Sequence, residues 1–321
     1  MRASKASTIW VTSMYNQEAS LSKKILITVV GPTAVGKTAL SIKLANHFEC
    51  PILSADSRQF FKETSIGTAK PNLEELAQAE HHFVDFLSVK EEYSAGKFER
   101  DCLGKLDEVF EKKDIAILSG GSGLYVNAVL LGFDDLPKAP EIRNELMSRL
   151  DLQGLPALFD QLKVLDPNKA SRVDPNNMQR VVRALEVCLA TGKPYSSFTS
   201  STKKKRPFTP IVIGLTLDRS VLYDRINSRV DKMVDEGLVE EVKNLLDKKD
   251  LNALNTVGYK EIFDHFDGKK SLEASIDEIK QNTRRFSKRQ MTWFKRMDGI
   301  NWFDPLNGSE IIAHIESQVN D

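Results

Sequence analysis

Gly31, Gly36, Lys37 and Thr38 fall at the spacing G-x-x-x-x-G-K-T in the run GPTAVGKT, residues 31–38. That spacing suits phosphate. The two glycines let the backbone curl so that N–H groups of Gly31, Thr33, Ala34, Val35 and Gly36 converge on phosphate oxygens. Lys37 adds a positive charge, and the Thr38 hydroxyl is an oxygen ligand of the kind Mg²⁺ takes in such loops. The loop alone does not distinguish a nucleotide from any other diphosphate.

Asp56 is a second candidate. It closes the short apolar run PILSAD (51–56), and if that run lies parallel to the one before the loop, its carboxylate stands beside the phosphates. There it can orient an acceptor and take its proton as a general base; an aspartate capping a turn gives the same local pattern. Arg225 and Arg229 in LYDRINSRVDKM (222–233) are i,i+4 partners on one helix face. They suit the charge that develops on a departing diphosphate, as they would suit a solvated surface. Arg180 and Arg183 in QRVVR (179–183) are three apart on one helical face and suit phosphates or stacked bases, while Gln179 could reach a base edge. The segment 280–297 holds seven Lys/Arg, among them Arg284 and Lys288, and no acid. Ile279, Phe286 and Trp293 recur through it at helical spacing and are expected to form its buried stripe.

The elements that must position these groups read as an α/β chain. Residues 25–30 predict a strand and 39–48 a helix. Further strands are expected at 51–56, 81–86, 114–121 and 210–217, with helix between 94 and 110. Strands alternating with helices argue for a parallel sheet covered on both faces. Roughly ninety residues separate the last two strands, and their helical patterns at 141–150 and 156–165 predict a helical insertion rather than a long loop. Residues 196–210 are expected to be its return linker. Long helices are expected at 223–246 and 272–297.

The whole chain restricts the function classes. With 45 Lys+Arg against 45 Asp+Glu over 321 residues, no global charge draws it toward nucleic acid, so recognition must be local. Three separated cysteines make no metal or disulfide pattern. His81-His82 lacks partners at metal spacing. No apolar run reaches membrane-span length, and the Ser-rich residues 1–24 lack the apolar stretch of a secretory signal; they are expected to be a flexible extension, and the chain to be cytoplasmic.

Six segments in order are similar to those of the tRNA dimethylallyltransferases, also called tRNA isopentenyltransferases: GPTAVGKT, SADSRQFFKETSIGTAKP (54–71), GGSGLY (120–125), DPNNMQRVVRALEV (174–187), TVGYKEI (256–262) and TRRFSKRQMTWFKR (283–296). The resemblance runs from about residue 25 to about 303. It implies a P-loop NTPase-like parallel sheet flanked by helices, formed by 25–135 and 206–310, with a helical insertion over 136–205 that binds tRNA. It implies transfer of a dimethylallyl group from dimethylallyl diphosphate to N6 of the adenosine 3′ of the anticodon, position 37, in tRNAs reading codons that begin with U. Asp56 would then be the base, Lys37 and Arg225 would assist the leaving group, Arg229 would join the loop in holding diphosphate, and Mg²⁺ would sit on Thr38. The resemblance also implies tRNA contacts for Asp56, Ser57, Arg58, Gln59, Thr68, Lys70, Ser122, Arg143, Gln179, Arg180, Arg183, Arg284 and Lys288. Ser122 stands where relatives carry threonine, keeping the hydroxyl and losing a methyl. The lack of a C-terminal zinc-finger cysteine set implies a bacterial-type enzyme, expected to be a monomer without membrane partners. Two other enzymes fit parts of the pattern: a P-loop nucleoside or nucleotide kinase with ATP in the loop, and a prenyltransferase acting on free adenine nucleotides. A non-catalytic RNA-binding protein fits as well.

Overall fold

The structure, a computed structural model, describes residues 23–132, 136–198 and 204–320. Residues 1–22 and parts of the expected linkers therefore lie outside the described residues. Six strands form one sheet, β1 (Ile25–Val30), β2 (Ile52–Ser54), β3 (His81–His82), β4 (Ile115–Gly120), β5 (Thr209–Leu215) and β6 (Ile300–Phe303), in the order β3-β2-β4-β1-β5-β6. Every pairing is parallel. The central β1 is buried along its whole length, which is why it reads as an unbroken apolar run.

Helices connect the strands: α1 (Lys37–Phe48), α2 (Leu73–Gln78), α3 (Ala95–Phe110) and α4 (Gly123–Leu131). Then come α5 (Pro140–Leu165), α6 (Pro167–Ala170) and α7 (Met178–Thr191), followed by α8 (Arg219–Asp235), α9 (Leu238–Lys243), α10 (Tyr259–Phe266), α11 (Leu272–Phe294) and α12 (Gly308–Asn320). The chain divides into two compact units: Met1–Val126 with Pro207–Asp321, and Asn127–Arg206. The first has a core of sheet residues such as Ile27, Val29 and Ile213 packed with Leu44 of α1, Ile226 of α8 and Ile315 of α12. The second has its own apolar core, built from Leu146, Leu158, Leu162, Val181, Val182 and Leu185. Its described residues contain no strand.

Three expectations need correction. The strand expected at 81–86 stops after His82, because Phe83 and Asp85 adopt positive φ (62° and 53°). The chain turns there so that Phe83 and Phe86 can join a cluster of rings with Phe60, Tyr93 and Phe98. The helix expected at 223–246 is broken at Gly237, whose φ of 101° no helix accommodates. β6, α10 and α12 were not among the expected elements. Finally, the buried stripe of α11 is not Ile279, Phe286 and Trp293: Ile279 is buried, but Phe286 and Trp293 are 38% and 36% exposed. Ser287, Gln290 and Phe294 take the buried positions instead.

Candidate active site

The phosphate loop begins where β1 ends. Gly31 adopts φ 149°, and a Cβ there would lie 2.8 Å from the Leu215 carbonyl oxygen of β5, so only glycine fits. Ala34 (φ 64°) and Gly36 (φ 114°) complete the curl, and Lys37 opens α1. The rest of the loop's N–H groups and the positive end of α1 suit one anion-binding position, but the Thr33 N–H, expected among them, is taken internally by Gln290 Oε1 at 2.8 Å. The Lys37 ammonium arches back and donates to the carbonyls of Gly31 (3.0 Å) and Pro32 (2.8 Å). Burial pushes its pKa down to about 8, Asp56 opposing the drop and Arg229 adding to it. Lys37, Asp56 and Arg229 therefore form one electrostatic group.

Asp56 follows β2, and its Oδ1 accepts the Arg58 N–H at 3.0 Å, an aspartate turn that orients the carboxylate. The turn after β4 presses on this segment. A Cβ on Gly120 would lie 2.4 Å from the Ala55 carbonyl oxygen, so glycine is required for the approach. Next to it, Ser122 Oγ accepts the Ser57 N–H at 3.1 Å. The hydroxyl that serine shares with threonine is the atom in use.

Several polar residues expected at the RNA are spent internally. Arg58 donates to the carbonyls of Asn252, Ala253 and Asn255. Gln59 donates to those of Thr68 and Ala69, and Thr68 Oγ1 donates to Thr64 at 2.6 Å. The Lys70 side chain is only 4% exposed and is paired with Asp85, so it braces the 67–71 turn instead of presenting a charge to solvent. One supporting residue carried no sequence signal. Glu241 of α9 accepts the N–H groups of Ser65 and Ile66 (2.8 Å each) and Gly67 (3.0 Å), as well as the Tyr259 hydroxyl (2.6 Å).

From α8, Arg225 reaches the Val35 carbonyl (3.4 Å), and Arg229 reaches Thr33 Oγ1 (3.4 Å) and the Ala69 carbonyl (3.3 Å). Both arginines are therefore at the loop, as their shared helix face requires. Burial holds the Arg229 guanidinium below its ordinary value, with Asp56 and Glu75 opposing. From α11, Gln290 accepts the Thr33 N–H (2.8 Å) and donates to the Gly121 carbonyl (2.9 Å). A single cavity of about 1290 Å³ is bordered by Lys37, Thr38, Asp56, Arg225 and Arg229, with Phe286 and Trp293 on its wall. Those two rings stand partly exposed on the wall of this space. Trp293 lies against Gly123, where a Cβ would come within 2.2 Å of the indole. Arg284 donates to Asn227 Oδ1 at 2.6 Å, and Lys288 is exposed.

The family described as IPP transferase matches residues 59–297 of this chain. The chain belongs to the IPP transferase family. IPP transferases of bacterial type resemble it along nearly its whole length. A tRNA dimethylallyltransferase of Christiangramia forsetii is 53% identical over 92% of this chain and 98% of its own. The solved full-length tRNA isopentenylpyrophosphate transferase of Bacillus halodurans is 39% identical, covers 93% of this chain and 97% of its own, and superposes with a TM-score of 0.70. A eukaryotic dimethylallyltransferase acting on tRNA is 28% identical, covers 88% of this chain and 74% of its own, and has a TM-score of 0.75. Membership makes the chain a prenyltransferase, with the parallel α/β sheet and helical insertion of the family. No described helix is long and apolar enough to cross a membrane.

The second unit of this IPP transferase carries the remaining expected residues. Gln179 and Arg180 are exposed in the first turn of α7, where Asn177 caps the helix by accepting the Arg180 N–H at 3.1 Å. Arg143 and Arg183 differ from them. Both are paired with the buried Glu186 (3.1 and 2.7 Å), and Arg183 also donates to the Leu136 and Pro137 carbonyls. Burial pushes the Glu186 carboxyl up, but the Ala139 N–H and these two arginines outweigh it and hold it below the usual value.

Proposed function

We propose that this chain transfers a dimethylallyl group from dimethylallyl diphosphate to N6 of adenosine 37 in tRNAs reading codons that begin with U. The observation that carries this reading is the placement of Asp56 on the cavity that the phosphate loop and Arg229 also border, near enough to act on Lys37 and Arg229. An electrophile held by its diphosphate and an acceptor held by a carboxylate then share one space. The names borne by its relatives supply the substrates: tRNA and a prenyl diphosphate.

The N6 lone pair attacks C1 of the dimethylallyl group as the C1–O bond breaks, and the bonding pair leaves with diphosphate. Asp56 accepts the N6 proton. The adenine amine is a poor nucleophile because its lone pair is delocalised into the ring, so a carboxylate that both orients it and removes its proton lowers the barrier. Lys37, Arg225, Arg229 and the N–H groups of Thr38 and the loop meet the negative charge that grows on diphosphate, helping the transition state more than the ground state. The adenosine leaves the anticodon stack to enter the cavity. Exposed Gln179 and Arg180 of α7 contact the RNA, as do Arg284 and exposed Lys288 of α11. Ser57, Ser122, Arg58, Gln59, Thr68 and Lys70 serve the base's pocket chiefly by holding its walls.

Mg²⁺ fits the donors present. Thr38 and Asp56 offer hard oxygens at the cavity. Such a set suits a cation that takes most of its ligands from phosphate and water. Thr38 would hold it, and when bound it would neutralise part of the diphosphate charge.

Product analysis tests the reading. Undermodified tRNA, AMP and nucleosides are each offered with dimethylallyl diphosphate or ATP in the presence of Mg²⁺. Mass spectrometry of digested tRNA should show one dimethylallyl group on adenosine 37 and no phosphorylated product. Prenyl-AMP alone, or phosphoryl transfer from ATP, would contradict it.

A further inference from the structure

Gln290 is a polar residue on the buried face of α11 and is only 6% exposed. Its amide uses both ends on the site. Oε1 accepts from Thr33, inside the phosphate loop, and Nε2 donates to the carbonyl of Gly121, in the turn after β4. The fit is tight, since a Cβ on Gly121 would lie 2.4 Å from Nε2 and 3.5 Å from Lys37 Nζ. That same turn sets the place of Asp56, through the contact of Gly120 with Ala55 and the bond from the Ser57 N–H to Ser122 Oγ. One side chain therefore joins the segment that holds the donor to the segment that abuts the acceptor's base.

We propose that Gln290 is a positioning residue for the transfer step: it fixes the spacing between the phosphate loop and the turn that seats Asp56. This rests on the transferase reading above. A buried amide satisfied at both ends is a rigid spacer, because breaking either bond leaves a buried polar group without a partner. Its length matters as much as its polarity. Misplacing reacting groups by about 1 Å can cost on the order of 10²-fold in rate. Each substrate alone is held by groups other than Gln290, the diphosphate by the loop with Arg225 and Arg229 and the tRNA by side chains of α7 and α11, so the chemical step should suffer most.

Two variants of the full chain test this. Gln290→Met keeps the length and removes both bonds. Gln290→Asn keeps the amide and is one methylene too short to span the gap. Amide exchange at Thr33, which needs no activity, should quicken by roughly 10-fold or more in Gln290→Met as the N–H loses its acceptor. Single-turnover transfer at saturating tRNA and dimethylallyl diphosphate should fall about 10- to 100-fold in both variants. Their affinities for tRNA and for an unreactive thio-analogue of the donor should stay within about 3-fold. Unchanged exchange at Thr33 would overturn the bridge itself. Altered exchange with a transfer rate within about 2-fold of wild type, or a loss confined to donor KM, would overturn the positioning role. A wild-type chain that yields no prenylated tRNA would instead count against the transferase reading, with the exchange result still deciding the bridge.

Discussion

The Asp56 carboxylate acts on the Lys37 ammonium, opposing the burial that pushes this lysine down to about 8. In a site waiting for diphosphate this pairing is useful. Asp56 keeps part of the lysine's charge in place, and the incoming anion supplies the rest.

Diphosphate binding should therefore take up a proton. Lys37 falls from an ordinary 10.5 to about 8 in the folded chain. Below about pH 8 it is protonated in both folded and unfolded states, and its buried charge disfavours the fold. Between the two values the unfolded chain binds more protons, so this group's contribution to stability rises with pH across that window. A bound diphosphate draws the value back up. Calorimetry at about pH 8.5 with the thio-analogue, in buffers of different ionisation enthalpy, should show uptake of a fraction of a proton per site. Lys37→Met should bind more weakly and show none. Binding by the wild-type chain without uptake would contradict the electrostatic arrangement.

Glu241 should order the 65–67 turn. Its carboxylate accepts three backbone N–H groups and the Tyr259 hydroxyl. Glu241→Gln keeps the size and replaces an anionic acceptor with a neutral amide whose NH₂ faces donors. It should lower stability to urea by about 1–3 kcal/mol and speed amide exchange at Gly67. Unchanged exchange there would show that the turn holds itself.

What could be read from the sequence, and what could not, divides along physical lines. The phosphate loop was legible because phosphate binding imposes a local spacing, and β1, β4 and β5 because burial on both faces makes apolar runs. β3 was overestimated, since the demand of the ring cluster for Phe83 and Phe86 is tertiary. On α11, residues seven apart drift by about 20° per step around a straight helix. The series from Ile279 to Trp293 therefore walks off the core face, from a buried Ile279 to the partly exposed Phe286 and Trp293. Glu241 gave no local signal, and Gln290 was not singled out within the segment 283–296, because their backbone partners lie 174–176 and 169–257 positions away in the chain. Arg183 was read as an RNA contact from spacing and Arg143 from the resemblance, neither of which can reveal that a buried glutamate already pairs with them.

Arg180 and Arg183 should consequently separate. Arg180→Ala, on the exposed first turn of α7, should weaken tRNA binding and reduce the salt slope by about one unit, as expected for one lost phosphate contact. The stability of the second unit should stay the same. Arg183→Ala removes a partner of buried Glu186 and should show mainly as lost stability, about 1–3 kcal/mol. Equal tRNA affinity for Arg180→Ala and wild type across salt concentrations would remove Arg180 from the RNA surface.

The central claim is that Asp56 takes the N6 proton, and Asp56→Asn addresses it most directly. The substitution preserves size and can keep the turn with the Arg58 N–H through its carbonyl oxygen, but removes the basic carboxylate. Single-turnover transfer is measured with tRNA and dimethylallyl diphosphate both saturating, alongside separate binding measurements for each. The expected result is a fall in rate of roughly 10²-fold or more, the scale of general-base catalysis, with both affinities nearly kept. Transfer at a near-wild-type rate under saturation would contradict the account and remove Asp56 as the base.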